Sequence, residues 1–87
     1  MKTFQLVISS PNGNIFKGEA IALYLRGTNG DLAILHGHIP FITPIQAGNC
    51  RVIFADGTEK TAKTKSGLLT VNSDGVTLLS DSFIFHN

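Results

Sequence analysis

His36 and His38 stand two residues apart. In an extended strand that spacing turns two imidazoles the same way. Two imidazoles begin a zinc site, and Cys50, His86 or Asp31 would have to supply the remaining ligands. Nothing in the spacing brings those residues to the pair. Gly37, between the histidines, marks a turn in which each imidazole makes local hydrogen bonds, and this is the stronger reading. Cys50 with a histidine would make a nucleophile and its base. Yet Cys50 falls in phase with Val52 and Phe54, which makes it a small buried apolar side chain. Glu19, Asp31, Asp56, Asp74 and Asp81 are scattered over turns and strand ends, so no carboxylate pair is set up for acid–base work. The glycines spell neither GxGxxG nor GxxxxGK[ST], and Ser9, Ser66, Ser80 and Ser82 lack the nucleophile-elbow context. An enzyme reading therefore has no positive support, and these residues point to no catalytic group, no metal and no cofactor.

The elements that carry these residues follow a period of two. Phe4, Leu6 and Ile8 alternate with more polar neighbours, as do Ile21, Leu23 and Leu25, and Cys50, Val52 and Phe54. Each run is the pattern of a strand buried on one face. Between the runs lie Pro11-Asn12-Gly13-Asn14, Gly27-Thr28-Asn29-Gly30, Asp56-Gly57-Thr58 and Asn72-Ser73-Asp74-Gly75. Gly and Asn there supply the positive φ that hairpin turns require. The spacing predicts strands of about 4–7 residues joined by such turns, an all-β sandwich or barrel. Within residues 30–44, Pro40 and Pro44 confine their strands to edges or bends, and Gly37 marks a tight turn.

At 87 residues the chain is one domain, residues 1–87, with a modest core. Its 43% apolar and 15% charged residues are those of a folded chain. A net charge of +1 gives no clustered basic face for nucleic acid. Lys60, Lys63 and Lys65, beside Glu59, read as a solvated face. One cysteine cannot form an internal disulfide, which favours a reducing compartment. Lys2 is followed by alternating residues and not by the apolar run of a signal peptide. No apolar stretch approaches the roughly 20 residues that span a bilayer, so membrane association is expected only through a partner.

Residues 27–43, Gly27-Thr28-Asn29-Gly30-Asp31-Leu32-Ala33-Ile34-Leu35-His36-Gly37-His38-Ile39-Pro40-Phe41-Ile42-Thr43, resemble the signature of the epsilon subunit of F-type ATP synthases. That family reads approximately G-x-x-G-[ED]-x-G-[IV]-L-P-G-H-x-P-L-[IL]-T there. Phe4 to Pro11, with Ile15-Phe16-Lys17-Gly18-Glu19, resembles the family's first hairpin and its F-x-G. Ser66-Gly67-Leu68-Leu69-Thr70-Val71 and Val76-Thr77-Leu78-Leu79-Ser80-Asp81 resemble its S-G-G-x-x-E-V and V-T-V-L-A-D strands. The four matches keep order and gaps over about residues 3–82.

The resemblance implies a flattened ten-stranded β-sandwich, the N-terminal domain of that subunit, with no catalysis of its own. It implies a rotor role in the central stalk, where the domain grips the gamma subunit and touches the c-subunit ring. Membrane association then comes only through the complex, at the cytoplasmic face of the bacterial inner membrane. Position by position, Gly27, Thr28, Asn29, Gly30 and Asp31 match the ring-facing loop. Ser10, His38 and Thr43 match positions near the gamma contact. Two residues depart from the family pattern, His36 in place of Pro and Ala33 in place of Gly, so a ring-facing loop less rigid or tuned to another partner is expected. Most members continue into a helical hairpin that senses ATP and restrains hydrolysis; a chain ending at Asn87 is expected to lack it. Phe83 or Phe85 is then expected to cover surface that the hairpin would shield. The rival reading is a diverged β-sandwich interaction module outside the ATP synthase. A third is a small metal-binding protein using His36, His38 and His86.

Overall fold

The computed structural model describes residues 2–86. Nine strands fill most of them: β1 (Phe4–Ser10), β2 (Gly13–Gly27), β3 (Gly30–Leu35), β4 (Phe41–Ile45), β5 (Gly48–Phe54), β6 (Glu59–Thr64), β7 (Gly67–Asn72), β8 (Gly75–Ser80) and β9 (Phe83–His86). Each turn marked by Gly and Asn in the sequence joins two antiparallel strands: β1–β2, β2–β3, β5–β6 and β7–β8. At the β5–β6 turn the Asp56 carboxylate accepts from the Thr58 amide at 2.9 Å and the Thr58 hydroxyl at 2.6 Å. Gly57 between them takes φ +88°, which a side chain would resist.

The strands form one continuous sheet folded into two layers, with β2 passing from one to the other. Its first part pairs with β1, from Gly13↔Ser10 to Ala20↔Phe4. Its second part pairs with β5 and β3, ending at Gly27↔Gly30. One layer thus runs β3-β2-β5-β6-β9, and the other β2-β1-β8-β7-β4. The ten strands expected of this architecture are these nine with β2 serving twice. That is also why β2, at 15 residues, exceeds the predicted strand length. The crossing point is a bulge between Ala20 and Ala22. A bulge adds one residue and reverses the phase of those beyond it. Ile21 is therefore only half buried, while Ala20, Ala22, Leu23 and Leu25 are buried; the simple alternation through Ile21 does not hold.

The inner faces meet in a single core. Leu6, Ile8, Ile45, Leu69, Val71, Val76 and Leu78 come from one layer. Leu23, Leu25, Ile34, Cys50, Val52, Ala62 and Phe83 come from the other. Phe83 is 5% exposed and packs into the core. Phe85 packs on Phe83, Phe54 and Phe16 with ring centroids 5.0–6.4 Å apart. Gly67 stands where β7 passes β8, and a Cβ there would collide with the Leu79 carbonyl oxygen. Pro44 lies in β4, at the edge of its layer, as its missing donor requires.

Candidate functional site

The Gly27–Asp31 segment is the β2–β3 hairpin turn. Gly27 pairs with Gly30, so Thr28 and Asn29 alone make the loop. Gly30 takes φ +129°, and a Cβ at Gly27 would lie 3.0 Å from Leu32 Cδ1 and 3.1 Å from the Gly30 oxygen. The turn is anchored from behind by the Gln46 amide, which donates to the Arg26 carbonyl at 3.0 Å. Thr28, Asn29, Gly30 and Asp31 are all exposed. A loop of two residues places Arg26 directly opposite Asp31, and Arg26 Nε lies 3.4 Å from Asp31 Oδ1. Sequence reading missed this ion pair, although the Gly-x-x-Gly loop length was the signal for it. Both side chains are well exposed, so the pair contributes little stability. Its effect is to present opposite charges side by side at the tip. Ala33 pairs with Tyr24 on β2, and no non-glycine residue among those described has positive φ, so a Cβ is accommodated there.

Of the residues matched to the gamma contact, Thr43 lies beside this turn. With residues 27–32 it lines a pocket of about 130 Å³. Ser10 is held in the β1–β2 turn, where its Oγ accepts from the Asn12 amide at 3.2 Å. It falls at the same end of the sandwich, because Ser9 pairs with Leu79, Leu79 with Leu68 and Leu68 with Pro44. His38 lies at the other end. It precedes Phe41, which pairs with Val71 beside the Asn72–Gly75 turn, and its ring sits 5.1 Å from that of Phe41. The three residues are thus strung along one layer and not gathered at a point.

That layer carries an apolar outer face. Pro44, Leu68 and Leu79 lie in one cross-strand row, with Ile42 two residues along β4 on the same side. Ile42 is 67% exposed, Leu68 44% and Leu79 48%. Pro11, Pro44, Leu68 and Leu79 line a depression of about 410 Å³ there. Contiguous exposed apolar rows of this kind occur at sites of interaction with proteins, membranes or ligands. The sequence pattern held the signal, since Leu68-Leu69 and Leu78-Leu79 place one leucine on each side of the sheet.

The remaining reactive residues are not assembled for chemistry. His36 and Gly37 form a turn after β3, so His36 and His38 do not share a strand face. His86 lies on β9 opposite Thr61. Among the described residues no group of three or more His, Cys, Asp or Glu comes together to hold a metal. Cys50 is buried, and burial pushes its thiol up to about 11. Ser80 is also buried. Its Oγ lies 3.0 Å from Thr64 Oγ1, 3.0 Å from the Lys65 carbonyl and 3.0 Å from the Ser82 carbonyl, which knots the β6–β7 and β8–β9 bends together. Among the described residues no helix is long and apolar enough to cross a membrane.

A family model described as the ATP synthase, Delta/Epsilon chain, beta-sandwich domain matches residues 3–86. The ATP synthase epsilon chain of Priestia megaterium is 38% identical over 82 residues, covering 94% of this chain and 60% of the relative. That of Delftia acidovorans is 39% identical over 84 residues, covering 97% and 61%. The chain thus spans about three-fifths of the length of the curated relatives it matches. A chain in the cryo-EM structure of the Euglena gracilis mitochondrial ATP synthase (OSCP/F1/c-ring, rotational state 1) superposes with a TM-score of 0.88 at 19% identity. It covers 95% of this chain and 53% of that one. A chain of the Tetrahymena thermophila mitochondrial ATP synthase central stalk and c-ring gives 0.79 at 9% identity, covering 95% and 66%. At such identities the likeness is one of fold.

Proposed function

The chain belongs to the Delta/Epsilon β-sandwich family of ATP synthase, and from that membership we propose that it is a non-catalytic rotor subunit linking the gamma subunit to the c-subunit ring. The observation that carries the reading is the family match over residues 3–86. Two features of the surface support it. The apolar row of Ile42, Pro44, Leu68 and Leu79 offers a face for gamma, with Ser10 towards one end of that layer and His38 towards the other, while Thr43 alternates to the inner side of β4 beside the Gly27–Asp31 turn. The short turn, with Thr28 to Asp31 exposed, offers a charged tip for the polar loops of the ring. The chain would sit at the cytoplasmic face of the bacterial inner membrane, held there by the complex.

Asp31→Arg tests the assignment of the turn. It reverses the charge at the tip and sets two arginines opposite each other, at an exposed site where like charges cost little fold stability. ATP-driven proton pumping in membranes reconstituted with the variant is expected to fall while the thermal midpoint of the chain stays near wild type. Unchanged pumping would remove the turn from the ring contact.

A further inference from the structure

The outer face of the β3-β2-β5-β6 layer holds a cleft of about 730 Å³, lined by Tyr24, Arg26, Asn49, Arg51 and Thr61 among others. Its concavity follows from the sequence: Ala33, Ala47 and Gly48, which also line it, are too small to fill the face between the longer side chains. Tyr24 pairs with Ala33 on one side and Arg51 on the other, and Arg51 with Thr61. The Arg51 guanidinium lies over the Tyr24 ring, 4.4 Å from its centroid, a cation–π contact that restrains it on this face. Arg26 is two residues along β2 from Tyr24, on the same face, and is therefore a diagonal neighbour of Arg51. Such neighbours stand roughly 7–8 Å apart at the backbone.

Neither arginine is spent on its carboxylate. Arg26 Nε lies 3.4 Å from Asp31 and Arg51 Nε lies 3.6 Å from Glu59, both longer than a hydrogen bond. These are exposed ion pairs, weak enough for a better acceptor to displace. The cleft therefore presents two forked donors, an amide at Asn49 and a hydroxyl at Thr61, with the Asp31 carboxylate also on its wall as the group an incoming anion must displace from Arg26. We propose that it binds a phosphate-type oxyanion, such as a diphosphate, held by the two guanidinium forks. The inference does not use the rotor reading, and its test needs no partner subunit, so each can fail without the other.

The 87-residue chain, labelled with nitrogen-15, is titrated with inorganic pyrophosphate and followed by amide chemical shifts, with sodium chloride at matched ionic strength as the control. Saturable shifts are expected at Tyr24, Arg26, Asn49 and Arg51, with a midpoint of about 1 mM. Arg26→Gln and Arg51→Gln are each expected to raise the midpoint about tenfold. Both side chains are exposed and a β spectrum checks the fold. Should Arg51→Gln disturb the Tyr24 ring, Arg51→Lys keeps the charge and removes the fork, and is expected to weaken binding as well. Three results would each overturn the proposal. They are no saturation by about 50 mM, shifts that sodium chloride reproduces, and midpoints that the substitutions leave in place.

Discussion

Phe83→Ala and Phe85→Ala separate a core residue from its half-exposed neighbour on the same short strand. Phe83 is 5% exposed and packs in the central cluster, so its removal forfeits nearly the full transfer term and leaves a cavity. Such truncations cost about 3–5 kcal/mol. Phe85 is half buried and rests on three rings, so its loss is expected to cost about 1.5–3 kcal/mol. A domain of this length has roughly 4–13 kcal/mol in all, and each kcal/mol moves the thermal midpoint by about 4–8 °C. Phe83→Ala should therefore lower the midpoint by about 12 °C or more, and Phe85→Ala by roughly half as much. Calorimetry on both variants measures the difference directly. A midpoint for Phe83→Ala within about 4 °C of wild type, or a larger loss for Phe85→Ala, would refute the placement of β9 against the core.

Two further outcomes concern ionisable groups. With its thiol pushed up to about 11 by burial, Cys50 should be inert to a thiol reagent at neutral pH in the folded chain and react only on unfolding; labelling of the native chain as fast as of a free thiol would contradict its place in the core. Asp56 is held below its ordinary value of 3.8, first by the Thr58 hydroxyl and then by the Thr58 amide. A depressed carboxylate lends stability that is full above the unfolded pKa and is lost as pH falls through the folded one. Asp56→Ala should therefore lower the thermal midpoint by more at pH 6 than at pH 2. An equal loss at both values would deny the charged turn.

Local features of this fold are written plainly in the chain. Asp56-Gly57 and Asn72-Ser73-Asp74-Gly75 dictate their own backbone through side-chain acceptors and positive φ, so the hairpins are legible from a few residues. The period-two runs likewise identify Leu6, Ile8, Leu23, Leu25, Cys50 and Val52 as core. What was not legible is non-local. The parallel pairing of β1 with β8 joins residues some seventy positions apart, such as Leu6 and Val76, and no local signal selects that partner. The Ala20–Ala22 bulge is also set by pairing, because β2 must leave β1 and join β5. The same limit applies to the surface. The exposed row of Pro44, Leu68 and Leu79 exists only once β4, β7 and β8 are aligned, and the cleft at Arg26 and Arg51 only once β2 and β5 are. The Gly27–Asp31 turn, by contrast, is local, and its length alone places Arg26 opposite Asp31.

The proposed grip of gamma on this sandwich is tested by titrating the chain against the gamma subunit of the same organism. One-to-one binding of sub-micromolar strength is expected, weakened when Leu68 and Leu79 are replaced by Asp on a chain that keeps its β spectrum. A folded chain that shows no binding to gamma would leave the fold standing and contradict the function.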